Sequence, residues 1–149
     1  MRGLFRSSVA AICCFVMSSQ GSGHDTSQPK AVTAVTRKAA FRRAVEMWQN
    51  GRADLIATMV TSDYVGHAPS GDRNVEGLRK RMMDFHTLYP DIRFTIEDQL
   101  AEGDRVATRM TGVGTSTKTG QRMRLRGLNI SRFSGNLIAE EWPVWETVQ

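Results

Sequence analysis

The spacing of the apolar residues changes once along this chain, near Asp91, and the change restricts the folds that are open to it. Before Asp91 the apolar residues recur at steps of three and four, which predicts three helices: one through Phe41–Trp48 that ends at Asn50, one over Ala53–Val60, and one over Asn74–Leu88. After Asp91 they alternate, which predicts four strands: Phe94–Glu97, Arg105–Gly114, Gln121–Phe133 and Asn136–Glu146. Helices followed by an antiparallel meander indicate an α+β domain, with the helices on one face of a curved sheet.

The strand Gln121–Phe133 also predicts a cavity. Met123 and Leu125 share one phase of this strand, whereas Leu128 and Ile130 share the other. Gly127 lies between the two pairs and predicts a β-bulge, at which the strand bends and changes the face that it buries. A long bent strand under capping helices forms a half-barrel, and the cavity of a half-barrel usually binds small molecules. A brief strand, Tyr64–His67, is predicted before a turn at Pro69–Asp72.

The N-terminal residues 1–23 have the order of a secretory signal: a basic start, the apolar run Val9–Met17, and small residues up to Gly23. An apolar run of nine residues is far shorter than the roughly 20 that a membrane helix needs, so no stable membrane anchor is expected. The protein is therefore predicted to be secreted or periplasmic. A mitochondrial presequence is the alternative, because the segment is rich in serine and has no acidic residue before Asp25.

The two cysteines, Cys13 and Cys14, both lie in this apolar run. Removal of the signal leaves a chain without cysteine, which excludes a disulfide framework, a thiolate zinc site and a nucleophilic cysteine. Residues 24–34 are polar and are predicted to be a flexible lead-in, and residues 35–149 are predicted to form one domain.

The net charge of +5 first suggests a nucleic-acid binder, but two of these charges fall in residues 1–30. The triplet Arg122, Arg124 and Arg126 lies on one face of a predicted strand without interleaved aromatic residues, which nucleic-acid binding would favour. No nucleic-acid partner is expected. The triplet is better explained as a solvated face or as the ion-pairing surface of a homodimer, which we expect to form through the sheet.

Six segments resemble, in this order, the SnoaL-like polyketide (ester) cyclases: Phe41–Trp48, Tyr64–His67, Tyr89–Phe94, Glu102–Val106, Arg126–Ile130 and Ile138–Trp142. The resemblance covers about residues 36–147. It implies the cone-shaped α+β fold shared with nuclear transport factor two, ketosteroid isomerase and scytalone dehydratase. It also implies ring closure by intramolecular aldol condensation without metal or cofactor, by a general acid/base carboxylate in an apolar pocket.

The sequence departs from this family at two places. Only four residues separate Gly114-Thr115 from Gly120, where the family often has a longer hairpin at the mouth of the pocket. Glu146 stands where the family tends to carry aspartate, so the carboxylate is kept with one more methylene.

Glu146 is the first candidate for proton transfer. It shares one phase of the predicted strand Asn136–Glu146 with Glu140, Trp142 and Val144. If this set faces the cavity, Glu146 is a carboxylate beside an indole, a setting that disfavours the charged form and suits an acid or base. The alternative is an exposed strand-end glutamate that only aids solubility.

His67 is the second catalytic candidate, because it resembles the pocket-mouth histidine of the family and could shuttle a proton. The alternative is a structural histidine held by hydrogen bonds. The predicted ligand-binding residues are Trp142, Asn129, Arg109, Glu140, Tyr64 and Asp98. Asn129 could instead satisfy a bulged backbone, and Arg109 could instead lie on the solvated face.

No metal site is expected, because His24, His67 and His86 do not cluster and no thiolate remains. The predicted function is therefore binding of an apolar, carbonyl-containing small molecule, with cofactor-free acid/base chemistry of cyclase, isomerase or dehydratase type if the domain is catalytic. The alternative is a non-catalytic ligand-binding or protein-docking module on the same fold.

Overall fold

The structure is a computed structural model that describes residues 32–148. The predicted signal, residues 1–23, and all but the end of the predicted lead-in, residues 24–34, lie outside the described residues. Between residues 32 and 148, no helix has both the length and the apolar character needed to span a membrane.

Two α-helices begin at side-chain caps and bury one stripe each. Helix α1 (Ala34–Gln49) begins at Thr33, whose hydroxyl accepts a hydrogen bond from the backbone N–H of Thr36. Helix α2 (Val75–Leu88) begins at Asn74, whose side chain accepts from the N–H of Gly77. The apolar period predicted both helices, although α1 begins before the predicted Phe41. The buried residues include Phe41, Ala44 and Val45 in α1, and Leu78, Met82 and Phe85 in α2.

The helix predicted over Ala53–Val60 is wrong in type and in extent. The structure has a shorter 3-10 helix, Ala53–Thr58, which buries Ala53 and Ile56 and leaves Leu55 exposed. Val60, which the helical pattern included, instead begins the first strand.

Six strands form one sheet in the order β2-β1-β6-β5-β4-β3. The strands are β1 (Val60–Ala68), β2 (Gly71–Arg73), β3 (Arg93–Glu102), β4 (Arg105–Thr115), β5 (Arg122–Ser134) and β6 (Leu137–Val148). Strands β3 to β6 form the predicted antiparallel meander, and β1 pairs parallel to β6. The α+β prediction is confirmed, although β1 is nine residues long where only Tyr64–His67 was predicted.

The helices cover one face of this sheet, which we call the inner face. Phe41 of α1 and Met82 of α2 belong to the same buried cluster as Val106, Met110 and Phe133 of the sheet. Ile56 and Ile138 complete the centre of this core. The opposite, outer face carries the exposed apolar side chains Leu100, Leu128 and Val144. The structure describes a single chain, so the homodimer through the sheet stays a prediction.

The predicted bulge at Gly127 is wrong. Strand β5 pairs with β4 in continuous register through Gly127, so β5 does not change its buried face there. Leu128 accordingly lies on the outer face with 46% of its surface exposed. Gly127 has a different function: a β-carbon at this position would lie 2.5 Å from ring atoms of Trp145. The glycine therefore leaves room for the indole on the inner face.

Replacing Gly127 with alanine is expected to lower the free energy of unfolding by about 1–3 kcal/mol, because the added methyl group overlaps the indole of Trp145. Urea denaturation measures the change. The control is Leu128→Ala, one residue away on the outer face, which should cost less than about 1 kcal/mol. Equal losses in the two variants would contradict this account of Gly127.

Candidate functional site

A cavity of about 570 Å³ lies between the helices and the inner face of the sheet. Apolar side chains of both helices and of the sheet line most of it, among them Phe41, Val45, Trp48, Leu78, Phe85, Phe94, Met110, Met123, Leu125 and Trp145. The predicted cavity between sheet and helices is thus present, with the size of a small-molecule site.

The carboxylate of Glu141 lies in this apolar cavity and accepts three hydrogen bonds. The Tyr64 hydroxyl donates to Oε2 at 2.9 Å, and the Asn129 amide donates to Oε1 at 2.7 Å. The Ser131 hydroxyl also donates to Oε1, at 3.2 Å. Three strands supply these groups, because β6 lies between β1 and β5. Glu141 is therefore held in one orientation by the strands on both of its sides.

Burial raises the pKa of the Glu141 carboxyl above its ordinary value of 4.5, and the hydrogen bonds from Asn129, Tyr64 and Ser131 only partly oppose this effect. The pKa of the Tyr64 hydroxyl is also raised, mainly by burial and then by the negative charge of Glu141. The phenol thus keeps its proton at neutral pH and donates a hydrogen bond to the carboxylate. A carboxylate with a raised pKa in an apolar cavity is suited to proton transfer.

Gly66 allows Tyr64 to reach Glu141. A β-carbon at position 66 would lie 2.5 Å from the Tyr64 hydroxyl oxygen, closer than any two such atoms can approach. Gly66 also pairs with Glu141 across the parallel β1–β6 ladder. The absence of a side chain at this position opens the space in which the phenol and the carboxylate meet.

The prediction that Glu140, Trp142, Val144 and Glu146 face the cavity is wrong. The residues of β6 that line the cavity are Glu141, Pro143, Trp145 and Thr147, on the other phase of the strand. The reason is a bulge at the start of β6: Phe133 pairs with Ile138 but Arg132 pairs with Glu140, so Ala139 is an extra residue. Ile138 is buried in the core, and the bulge moves every later residue to the face opposite to the one that alternation from Ile138 would give.

Glu146 consequently lies on the outer face, where it pairs with Arg126 and leaves 58% of its side chain exposed. The solubility alternative describes its surroundings better than the proton-transfer hypothesis does. Val144 beside it is 63% exposed.

His67 also lies on the outer face and does not line the cavity. Its ring stacks on Trp142 with 5.0 Å between the ring centroids, and its Nδ1 lies 3.0 Å from Asp72 Oδ1. Nε2 of His67 lies 3.8 Å from Glu140, which accepts a hydrogen bond from Arg132. The Arg132 guanidinium lowers the pKa of the Glu140 carboxyl. These contacts match the structural alternative for His67. Trp142 and Glu140, which contact His67, are on the outer face with it.

Of the four remaining predicted ligand-binding residues, two line the cavity and two lie on the outer face. Tyr64 and Asn129 line the cavity and contact Glu141. Arg109 and Asp98 form an exposed ion pair on the outer face, 2.7 Å between Nη2 and Oδ2, as the solvated-face alternative for Arg109 proposed. Asn129 does not satisfy a bulged backbone, since β5 is regular at this point. Glu141 itself was missed.

Glu141 is also expected to make stability depend on pH. Because its pKa is raised in the folded state, the folded protein binds this proton more tightly than the unfolded chain does. The stabilisation is complete below the ordinary pKa near 4.5 and is lost as pH rises through the raised pKa, by about 1.4 kcal/mol for each unit of the elevation.

Urea denaturation between pH 4 and pH 8 tests this expectation. Wild-type protein should lose stability over the interval relative to the Glu141→Gln variant, in which nothing ionises at this position. The other carboxylates are common to both proteins and cancel in the difference. A difference that does not change with pH would mean that Glu141 titrates at its ordinary pKa.

Among the described residues, 32–148, no three histidine, cysteine, aspartate or glutamate side chains come close enough together to hold a metal ion. Apart from the tryptophans, the polar and charged side chains that line the cavity in this part of the chain are Tyr64, Ser70, Arg73, Arg81, Tyr89, Asn129, Glu141 and Thr147.

Comparisons with solved structures return the same fold. AclR from Streptomyces galilaeus, for which a hydroxylase activity has been suggested, is 25% identical, with a TM-score of 0.70 over 76% of this chain and 81% of that one. Wild-type IdmH from Streptomyces antibioticus, suggested to be a polyketide cyclase, is 24% identical, with a TM-score of 0.69 over 74% and 91% of the two chains. TsrD from Streptomyces laurentii is 19% identical, with a TM-score of 0.70 over 78% and 92%.

No curated protein sequence matches the chain. The sequence profile that describes SnoaL-like polyketide cyclases matches residues 38–149, which include most of α1, all of α2, all six strands and every group that contacts Glu141. The chain therefore belongs to the SnoaL-like polyketide cyclase family.

Proposed function

We propose that the cavity binds an apolar carbonyl compound and that Glu141 transfers a proton on it, in a cofactor-free reaction of cyclase, isomerase or dehydratase type. One observation carries the proposal: a carboxylate with a raised pKa lies in an apolar cavity of small-molecule size and is held there by three hydrogen bonds. A carboxylate that only supported the fold would be more stable if it were paired with a cation, as Glu140 is with Arg132.

The proton would move between carbon and the Glu141 carboxylate. Ionised Glu141 removes a proton from a carbon next to the ligand carbonyl, and the electron pair left on that carbon delocalises onto the carbonyl oxygen as an enolate. In an isomerisation, Glu141 returns the proton to a different carbon. In a ring closure, the carbanionic carbon attacks a second carbonyl, and the proton goes to the alkoxide formed there.

The protein groups around Glu141 support both stages of the transfer. A carboxylate has about four acceptor positions, and Tyr64, Asn129 and Ser131 occupy three of them, so one remains for the substrate proton. Asn129 is almost fully buried, and its amide oxygen has no hydrogen-bond partner within residues 32–148.

Exchange of α-protons with solvent tests the proposal. Cyclic ketones such as 2-tetralone are incubated with the protein in D2O, and the loss of α-proton signal is followed by nuclear magnetic resonance. We expect exchange faster than in buffer, and we expect Ala44→Phe to abolish the acceleration, because Ala44 lines the cavity and the larger ring fills it. Binding without accelerated exchange, across a panel of ketones of different shapes, would favour the non-catalytic binding module instead.

A further inference from the structure

Two arginine side chains line the otherwise mostly apolar cavity, opposite in charge to Glu141. Among the described residues that line it, the charged side chains are Arg73 of β2, Arg81 of α2 and Glu141 of β6. Ser70 and Arg81 are exposed, and so are Trp145 and Thr147, so the lining reaches solvent at more than one place. We call the opening beside Ser70 the entrance. The lining therefore has a net positive charge when Glu141 is ionised.

Arg73 is held at this entrance by the hairpin of β1 and β2. It pairs with Gly66 across the two strands, next to the place where the Tyr64 hydroxyl lies over Gly66. One guanidinium nitrogen donates to the Ser70 hydroxyl at 2.5 Å. The Arg73 charge also lowers the pKa of the Tyr64 hydroxyl, against the larger effect of burial. Arg73 thus contacts Ser70 at the entrance and is near enough to Tyr64 for its charge to act on the phenol.

Arg73 and Arg81 differ from the arginines of the outer face in lining the cavity. The lack of a carboxylate partner does not by itself distinguish them, because Arg105, Arg122 and Arg124 of the outer face also have none within residues 32–148. Arg109, Arg126 and Arg132 each pair with a carboxylate on a neighbouring strand. Neither Arg73 nor Arg81 has a carboxylate within 4.0 Å in residues 32–148. Arg81 instead lies over the ring of Phe85, with 5.3 Å from the guanidinium carbon to the ring centroid. A partly buried guanidinium without a counter-ion, beside an apolar cavity, favours a ligand that brings the negative charge.

We propose that the ligand of the cavity is an apolar acid whose carboxylate binds Arg73 at the entrance, with its carbonyl-bearing apolar part directed toward Glu141. The inference rests on the proposed function for the position of the reacting carbonyl, and it adds the substrate class. A planar carboxylate matches the two-nitrogen fork of a guanidinium. Arg81 is exposed and makes the weaker, solvent-screened contribution.

The test compares acids with amides of the same shape, which lack only the charge. The probes are 2-naphthoate with 2-naphthamide and 4-phenylbutyrate with 4-phenylbutyramide. Binding is measured by calorimetry and by quenching of tryptophan fluorescence, since Trp48 and Trp145 line the cavity. We expect each acid to bind wild-type protein about tenfold more tightly than its amide, a preference that weakens as salt is added.

Arg73→Gln should remove this preference and leave the affinity for the amides unchanged, and Arg73→Lys should keep part of it. The Lys variant and the amide affinity show whether the cavity is still folded. The matched control is Arg122→Gln, an exposed arginine on the outer face, which should change neither affinity. Equal binding of acid and amide by wild-type protein, or a preference that survives Arg73→Gln, overturns the proposal.

The outcomes also separate this proposal from the proton-transfer chemistry. If acids and amides bind equally while ketones still exchange their α-protons, only the acid preference is wrong. If acids bind preferentially through Arg73 without exchange of any ketone, the anion site stands and the chemistry does not. Failure of all four probes to bind counts against both.

Discussion

Glu141→Gln is expected to slow α-proton exchange of a bound ketone by a factor of about 100 to 10 000, the usual contribution of a general base. Glutamine keeps the size of the side chain and can still contact Tyr64 and Asn129, so ligand affinity should change little. It cannot accept a proton at neutral pH. Nuclear magnetic resonance in D2O gives the exchange rate, and fluorescence titration gives the affinity.

The matched control for this prediction is Glu146→Gln, which makes the same chemical change five residues along the same strand. Glu146 lies on the outer face beside Arg126, so its replacement should leave the exchange rate within about twofold of wild type. The exchange rate of wild-type protein should also rise with pH through a midpoint above 4.5, because ionised Glu141 is the base and its pKa is raised. Equal effects of the two glutamine variants would remove Glu141 from the mechanism.

Met82→Ala is expected to lower the free energy of unfolding by about 2–5 kcal/mol. Met82 lies in the middle of α2 with 0% of its surface exposed, packed in the core cluster that joins the helices to the sheet. It does not line the cavity, so its truncation leaves a new void instead of enlarging a space that is already present. The loss therefore combines the removed apolar contacts with the cost of an empty space.

The adjacent residue, Met83, supplies the comparison for Met82. It is also a methionine and lies on the same helix, but 56% of its surface is exposed. Met83→Ala should therefore change the free energy of unfolding by about 0.5 kcal/mol or less. Urea denaturation of the two variants isolates burial as the variable. Similar losses in both would mean that α2 is not packed through the face that contains Met82.

The helices could be predicted from sequence because their evidence is local. Met82 and Phe85 lie three residues apart on one stripe, and Asn74 caps the same helix, so each signal lies within a few turns of the others. The class of fold followed from the order of helices and strands. The strand β2 could not be predicted in this way, because three residues within a turn become a strand only through their pairing with β1.

The face of a strand that points inward depends on pairing that the sequence does not display. The positions of Leu128 and Ile130 suggested that β5 changes its buried face at Gly127. In the structure the strand is regular there, and both residues are apolar side chains on the outer face. The actual bulge is at Ala139, a residue with no turn or glycine signal. Because of this one extra residue, Glu141 faces the cavity and the predicted carboxylate, Glu146, does not.

Part of the site was nevertheless accessible from sequence. Tyr64 and Asn129 were predicted to bind ligand, and both contact the carboxylate that was missed. Ser131, two residues after Asn129, shares its face in a regular strand. Ser131 pairs directly with Glu141. The register of β5 and β6, had it been known, would therefore have identified Glu141 as the carboxylate beside these polar residues.

Because β1 pairs with β6, the site can assemble only after the end of the domain has been synthesised. Tyr64 and Glu141 are 77 positions apart, so the ribosome releases β1 long before the strand that completes the sheet beside it. Until β6 inserts, β1 and β5 each present an open edge to which other nascent chains can pair. Contacts between such distant segments form slowly, because chain entropy is lost before they are made. The step that ends this aggregation-prone interval is also the step that delivers the carboxylate to the cavity.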